Sequence, residues 1–295
     1  MTQTALILGA SGKIGRHFDA AFRAAGWQSR RYVRGTDMNA AAQGCEVIVN
    51  GLNPPNYHDW DRILPAITTQ ALAAARASGA TILFPGNVYV FGDQPGPWDE
   101  STPHRPVTRK GRIRSEVERR YRDAAADGVR TILLRAGDFI DPDSADSIMD
   151  IGYLRNLSKG VVTSMGDPDA PRAHAYLPDM ARAGVMLAER RAGLPAFCDV
   201  PFEGLTFSTR DLTEALSALS GRSLRLGGFP WWAIRLVSPV WELGRELGEM
   251  RYLYDTPHRL SGTRLHALLP GFRETPLGDV LRKVLARREG FAAAA

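Results

Sequence analysis

The sequence predicts an α/β fold, a doubly wound parallel sheet followed by a smaller C-terminal portion. Three observations carry this. Short apolar runs alternate with helical patterns through the first half, and a turn with glycines three apart directly follows the first run. Beyond about Asp138 the alternation gives way to loops rich in Asp, Pro and Gly.

The apolar runs are TALILG, SRRYV, EVIVNGL, TILFPG and, from Thr131 to Ala136, TILLRA. Between them the spacing predicts helices over Arg16 to Ala25, Ile63 to Ala77 and Gly111 to Ala126. Strand–helix–strand crossovers are right-handed, so the C-terminal ends of all these strands line one edge, where ligands of such sheets bind. Residues 1–137 therefore read as one unit. Residues 138–295, with a helical TRDLTEALSALSG and the aromatic FPWWAIRLVSPVW, read as a portion that selects substrate, partly interleaved with the first. The terminal FAAAA is expected to fray.

The chain has 295 residues, 44% of them hydrophobic, which is enough for a packed core without staples. Its two cysteines, Cys45 and Cys198, lie far apart, which suits a reducing cytoplasm and argues against a disulfide framework or a CxxC zinc site. The start, MTQTALILGASG, lacks a signal-peptide pattern, and no run approaches the ~20 apolar residues of a membrane span. The net charge of +5 is interleaved with acids, as in RSEVERRYRD, so neither nucleic acid nor a membrane is an expected partner. A small-molecule substrate is expected, and a homodimer through helices flanking the sheet suits such a fold.

The segment Gly9-Ala10-Ser11-Gly12-Lys13-Ile14-Gly15 runs from the first strand into the first helix. Gly9 permits the turn, Gly12 lets backbone approach a pyrophosphate, and Gly15 allows close helix–strand packing, while the helix N-terminus offers free N–H donors. This is a Rossmann-type dinucleotide loop. An acid at the end of the second strand would bond a ribose diol, whereas a base would take a 2′-phosphate. That position reads Arg30-Arg31-Tyr32-Val33-Arg34, with no acid before Asp37. Arg34 is the foremost phosphate candidate, with Arg30, Arg31 and Lys13 as helpers. NADP is thus favoured, with NAD as the alternative.

Together GASGKIG, NVYVFG, RAGDFIDP and RAHAYLPDMARA resemble the extended short-chain dehydrogenase/reductase group, which includes NAD-dependent epimerases and dehydratases. The resemblance covers nearly the whole chain, through LTFSTRDLTEALSALSGR to PGFRETPLGDVLRKVL. It implies that Asn87 stands where a serine or threonine orients substrate, and that Ala136, Gly137 and Phe139 border the nicotinamide. It also places Asp37 and Met38 near the adenine, on a shortened loop, and Asn50 to Asn53 beside the cofactor.

The family's catalytic signature is a tyrosine four residues before a lysine. The matching segment reads Thr108-Arg109-Lys110-Gly111-Arg112, with Thr108 for the tyrosine and Arg112 for the lysine. A threonine hydroxyl is too weak an acid to replace the phenol, and arginine stays protonated. Arg112 could still bond the nicotinamide ribose or an anionic substrate. The nearest phenol able to supply a proton is Tyr89, with Lys110 as second choice. The expected function is an NAD(P)-dependent oxidoreductase or epimerase-like enzyme acting on a carbonyl or carbinol carbon. The alternative is a catalytically silent module that senses NADP(H).

Other signals point away from further chemistry. The run Asp138, Asp141, Asp143, Asp146, Asp150 lacks the glycine and terminal glutamate of a calcium loop and reads as a solvated loop. His58, Asp59 and Asp61 lack further ligands at metal spacing, so no metal is expected. Ser11 sits in GASGK rather than the GxSxG of a hydrolase elbow. Trp231, Trp232 and Trp241 read first as core residues, with a roof over a substrate pocket or a surface facing a partner subunit as the alternatives.

Overall fold

The computed structural model describes residues 2–54, 58–238 and 241–288; the terminal FAAAA lies outside them. In chain order the elements are β1 (Thr4–Leu8), α1 (Lys13–Ala24), β2 (Gln28–Arg31), α2 (Met38–Ala42), β3 (Val47–Asn50), α3 (Trp60–Ser78), β4 (Thr81–Gly86) and α4 (Arg109–Asp123). There follow β5 (Thr131–Arg135), β6 (Asp138–Ile140), β7 (Val161–Ser164), β8 (Arg172–Tyr176), α5 (Leu177–Glu189), β9 (Phe197–Pro201) and β10 (Leu205–Phe207). The chain closes with α6 (Thr209–Ser220), β11 (Arg225–Gly228), α7 (Trp231–Val237), α8 (Glu242–Glu249), α9 (Thr263–Leu268) and α10 (Leu277–Ala286).

Six parallel strands form the central sheet in the order β2-β1-β3-β4-β5-β9. Alternate residues of each strand enter opposite cores, which is why the inner strands read as continuous apolar runs rather than as an alternation. Ala5, Ile7, Val47 and Val49 face Phe18 and Phe22 of α1 and Met180 of α5. Leu6, Leu8 and Ile48 face Leu64 of α3 and Val117 and Tyr121 of α4. Strand order reverses between β1 and β3, where Leu8 pairs with Asn50, and this switch point opens a crevice at the C-terminal edge.

Two features differ from the sequence reading. β2 stops at Arg31, so Tyr32 and Val33 of the run SRRYV belong to the following turn. The sixth strand, β9, has no strand signature in the sequence: Phe-Cys-Asp-Val-Pro carries a charge in its middle and ends in proline, and it joins the sheet only after a long excursion. The chain from Asp138 onward thus returns to the sheet with α5 and β9. Its other strands form a three-stranded sheet, β10-β8-β6, and a pair, β11-β7, around a separate core of Ile140, Tyr153, Phe207, Leu212 and Leu281.

Candidate nucleotide site

The glycine turn is built on three close backbone approaches. Gly9 has φ +77°, a left-handed conformation that suits glycine, and a Cβ on it would stand 3.0 Å from the Gly51 carbonyl oxygen. The Gly12 N–H donates to the Gly9 carbonyl at 2.9 Å and closes the turn. A Cβ on Gly15 would stand 2.1 Å from that same oxygen, so only glycine lets α1 sit on the turn. Gly12 is the N-cap of α1, and no side chain caps it. The first N–H groups of the helix therefore face the crevice with the positive end of the helix dipole behind them.

Two adjoining cavities, of about 470 and 610 Å³, open beside the turn. The first is bounded by Gly9, Ala10 and Ser11; the second extends past Asp37, Met38 and Asn53; Tyr32, Arg34 and Leu52 line both. Of the three arginines in this region, Arg30 donates to the Ala41 and Gln43 carbonyls at 2.7 and 2.8 Å, and Arg31 to Asp19 at 2.6 Å. Arg34 is exposed at the junction of the cavities and makes no ion pair among the described residues. Lys13 is turned away, its ammonium 3.1 Å from the Asp146 carboxylate. Asp37 caps α2, accepting from the Asn39 N–H at 2.9 Å, and thereby holds buried Met38 in the cavity wall. Ile14 packs half-buried against the core, as Phe139 does. The Asn50 side chain points inward instead, donating to the Tyr121 hydroxyl at 2.8 Å; burial pushes that phenol up to about 12.

Beyond β4, Asn87 shapes a tight turn. Its Oδ1 accepts from the Tyr89 N–H at 3.1 Å, and its carbonyl accepts from Arg135 at 2.7 Å. Half-buried Tyr89 lies against α4, because Gly111 has no Cβ that would meet the Tyr89 carbonyl at 2.6 Å. Thr108 is the N-cap of α4: its hydroxyl oxygen accepts from the Gly111 N–H at 3.1 Å. Arg112 is exposed and lines another cavity, with His104 and Arg122, that shares no residue with those at the glycine turn.

The inward face of α4 carries Lys110, Arg114 and Glu118 instead. Lys110 is fully buried, its ammonium 2.6 Å from Glu249 and also paired with Glu246, both of α8. Arg114 donates to Asn53 Oδ1 at 2.9 Å, in the wall of the larger cavity, with its guanidinium 4.9 Å from the Trp60 ring centroid. The inward pair at four-residue spacing is therefore two positions beyond Thr108 and Arg112. The signal was present: Ile113, Val117 and Tyr121 are the apolar positions of this charged helix, and Arg114 lies three residues before Val117 as Lys110 lies three before Ile113.

Below them Arg135 lies between Glu118, at 2.7 Å, and Asp199, at 2.6 Å, all three buried. Burial pushes the Glu118 carboxyl up, and Arg135 restrains the rise. For Arg135 burial works against the charge, and the two carboxylates more than offset it, so the guanidinium is held charged more firmly than usual. His104, whose Nε2 is 3.5 Å from Glu118, is driven down to about 4 by burial and by Arg135.

At the exit of β5, Ala136 is buried and a Cβ on Gly137 would meet the Ala173 carbonyl oxygen at 2.0 Å. Of the aspartates that follow, Asp143 and Asp146 are exposed as a solvated loop predicts, but Asp138, Asp141 and Asp150 are not. Asp138 pairs with Arg172 at 2.6 Å, Asp141 with Arg16 and His17, and Asp150 with Arg288 at 2.9 Å, so the run fastens the second half of the chain onto α1 and the C-terminus. The tryptophans also differ from a core reading: Trp232 is 68% exposed and Trp241 is 40% exposed. Trp231 alone is tied in, donating to the Met165 carbonyl at 2.6 Å. His58, Asp59 and Asp61 pair with Glu242, Arg62 and Arg109 respectively. Both cysteines are free and buried, and no helix among the described residues is long and apolar enough to cross a membrane.

No family model and no curated protein matches the chain. Solved structures do. UDP-glucose 4-epimerase from Brucella ovis, in complex with NAD, superposes with a TM-score of 0.75 at 17% identity over 99% of both chains. The chain has the sugar-epimerase fold. A putative epimerase from Burkholderia cenocepacia matches this epimerase fold with a TM-score of 0.76 at 15% identity over 97% of both chains. The RMD protein of Pseudomonas aeruginosa, complexed with NADPH, matches it at 0.71 and 20% identity, again over 97% of both chains. At 15–20% identity these matches share the fold of the chain, a six-stranded parallel sheet flanked by helices.

Proposed function

We propose that the chain is an NAD(P)-dependent oxidoreductase or epimerase-like enzyme acting on a carbonyl or carbinol carbon of a small molecule. The observation that carries this is the uncapped N-terminus of α1 facing two adjoining cavities that share Tyr32, Arg34 and Leu52. The glycine cradle accepts a pyrophosphate, which a Cβ at Gly9 or Gly15 would disturb, and the flanking cavity has room for the adenosine. Solved structures with the same fold hold NAD and NADPH.

Arg34 tips the choice toward NADP, because it is exposed at the cavity junction while its neighbours are engaged elsewhere. The nicotinamide, when bound, supplies the hydride chemistry. The chain's own part is positional. The glycine turn holds phosphate, Ala136, Gly137 and Phe139 form the wall beyond β5, and Asn87 sets the substrate side. Arg114, which holds Asn53 in the cavity wall, is the stronger candidate than Arg112 to support a ribose or an anionic group, and Tyr89 is the phenol proposed for proton transfer beside Asn87.

A second reading is favoured by one observation. Lys110, inward on α4, is sealed by Glu246 and Glu249, so its amine is not offered to a substrate. A nucleotide-binding module without turnover would tolerate this arrangement. Titration of the protein with NADPH and NADH, followed by nicotinamide fluorescence for wild type and Arg34→Ala, tests the reading. NADPH binding that weakens about tenfold or more in the variant, with NADH little changed, supports it. Binding of neither nucleotide overturns it. Oxidation of NADPH by a panel of ketones and nucleotide sugars separates enzyme from sensor.

A further inference from the structure

Away from the glycine turn, Glu203, His266 and Glu274 converge at the far edge of the sheet. Glu203 follows β9, the strand farthest from β1; His266 lies on α9; Glu274 leads into α10. His266 Nε2 is 3.1 Å from Glu203 Oε2 and 3.9 Å from Glu274 Oε1, and the three donor atoms all lie within 4.8 Å of one another. Ligands about 2.0–2.2 Å from a tetrahedral cation stand about 3.3–3.5 Å apart, so side-chain rotation alone closes this set around an ion.

Two further observations point to something held there. Glu274 Oε1 is buried and has no hydrogen-bond partner, a costly state for a carboxylate oxygen. Gly262 keeps the space open, since a Cβ on it would stand 2.0 Å from Glu203 Oε2. A second cluster, His17, Asp141 and Asp143, has its own internal solution: Asp141 already accepts from Arg16, from the Asp143 N–H and from His17.

We propose that Glu203, His266 and Glu274 bind a divalent cation of the zinc class, with water completing the shell, and that the ion clips α9 and the lead into α10 to the sheet edge. One imidazole and two carboxylates suit zinc or a neighbouring transition metal better than magnesium, which takes oxygen ligands. The role is structural. The site lies across the sheet from the glycine turn, and the ion neutralises two facing carboxylates that otherwise repel.

The test uses full-length protein stripped with a chelator, then titrated with zinc chloride by calorimetry and followed by thermal unfolding, with magnesium chloride as control. One zinc per chain, a rise in Tm, and loss of both in folded His266→Gln and Glu274→Gln are expected, while His17→Gln keeps them. Circular dichroism verifies folding, and His266→Gln, at a partly exposed position, decides the matter if Glu274→Gln does not fold. No stoichiometric zinc in the wild type, zinc retained by folded His266→Gln, or zinc lost in His17→Gln would each overturn the proposal.

Discussion

The Gly9 carbonyl oxygen lies where the Cβ of any other residue at position 15 would fall, 2.1 Å away. The contact packs the first turn of α1 directly on the glycine turn. Both contact partners are backbone, with no flexible side chain to yield. Gly15→Ala should therefore cost about 1–3 kcal/mol in stability through overpacking and weaken NADPH binding as α1 is displaced. Urea unfolding and fluorescence titration read the two effects; a variant with wild-type affinity would show the approach to be dispensable.

Thr108 and Arg112 should behave as structural and surface residues. Thr108→Ala removes the N-cap of α4 and should lower stability by about 1 kcal/mol, with Thr108→Ser restoring most of it. Arg112→Ala should leave nucleotide affinity unchanged, whereas Arg114→Met should weaken it. The reverse ranking in a binding titration would return the ligand role to the outer face of α4.

Glu118→Gln should destabilise by about 3–5 kcal/mol, because it leaves the buried Arg135 charge with Asp199 alone. Arg135 also holds the Asn87 carbonyl, so any turnover should fall with the same substitution. A neutral effect on the urea midpoint would mean that water or Asp199 compensates fully.

Acid should unfold the protein earlier than its carboxylates alone would dictate. Burial, reinforced by Arg172, drives His174 down to about 3 and His258 down to about 4. Each is stacked on an aromatic ring, His174 on Phe207 and His258 on Trp98, a contact that favours the imidazolium but does not offset burial and Arg172. Their folded pKa values lie below the unfolded value of about 6.5, so below that pH the unfolded chain takes up protons that the folded one refuses. Their contribution is complete above about pH 6.5 and is lost as pH falls toward about 4 and below, on the order of several kcal/mol in total. Urea midpoints at pH 7, 5.5 and 4.5 should fall progressively, with a shallower fall in His258→Gln.

The glycine turn, the five apolar runs before Asp138 and the helices between them were legible because each rests on local rules: strand burial on two faces, helical periodicity, and a turn that needs glycine. α4 shows where local reading stops. Four-residue spacing occurs at Thr108/Arg112 and again at Lys110/Arg114, and only the apolar positions Ile113, Val117 and Tyr121 distinguish the face that turns inward.

By itself the sequence determined a doubly wound sheet with a tight glycine turn after its first strand, since chain direction, periodicity and glycine spacing are properties of neighbouring residues. Tertiary structure alone decided which arginine stays available at the cavity junction, which face of α4 turns inward, and that Lys110 is sealed by α8. It also brought β9 into the sheet, turned the aspartates after β5 into ion pairs, and gathered Glu203, His266 and Glu274. Each of these depends on contacts between segments far apart in the chain, and a side chain's charge or hydroxyl has no fixed role until packing chooses its partner.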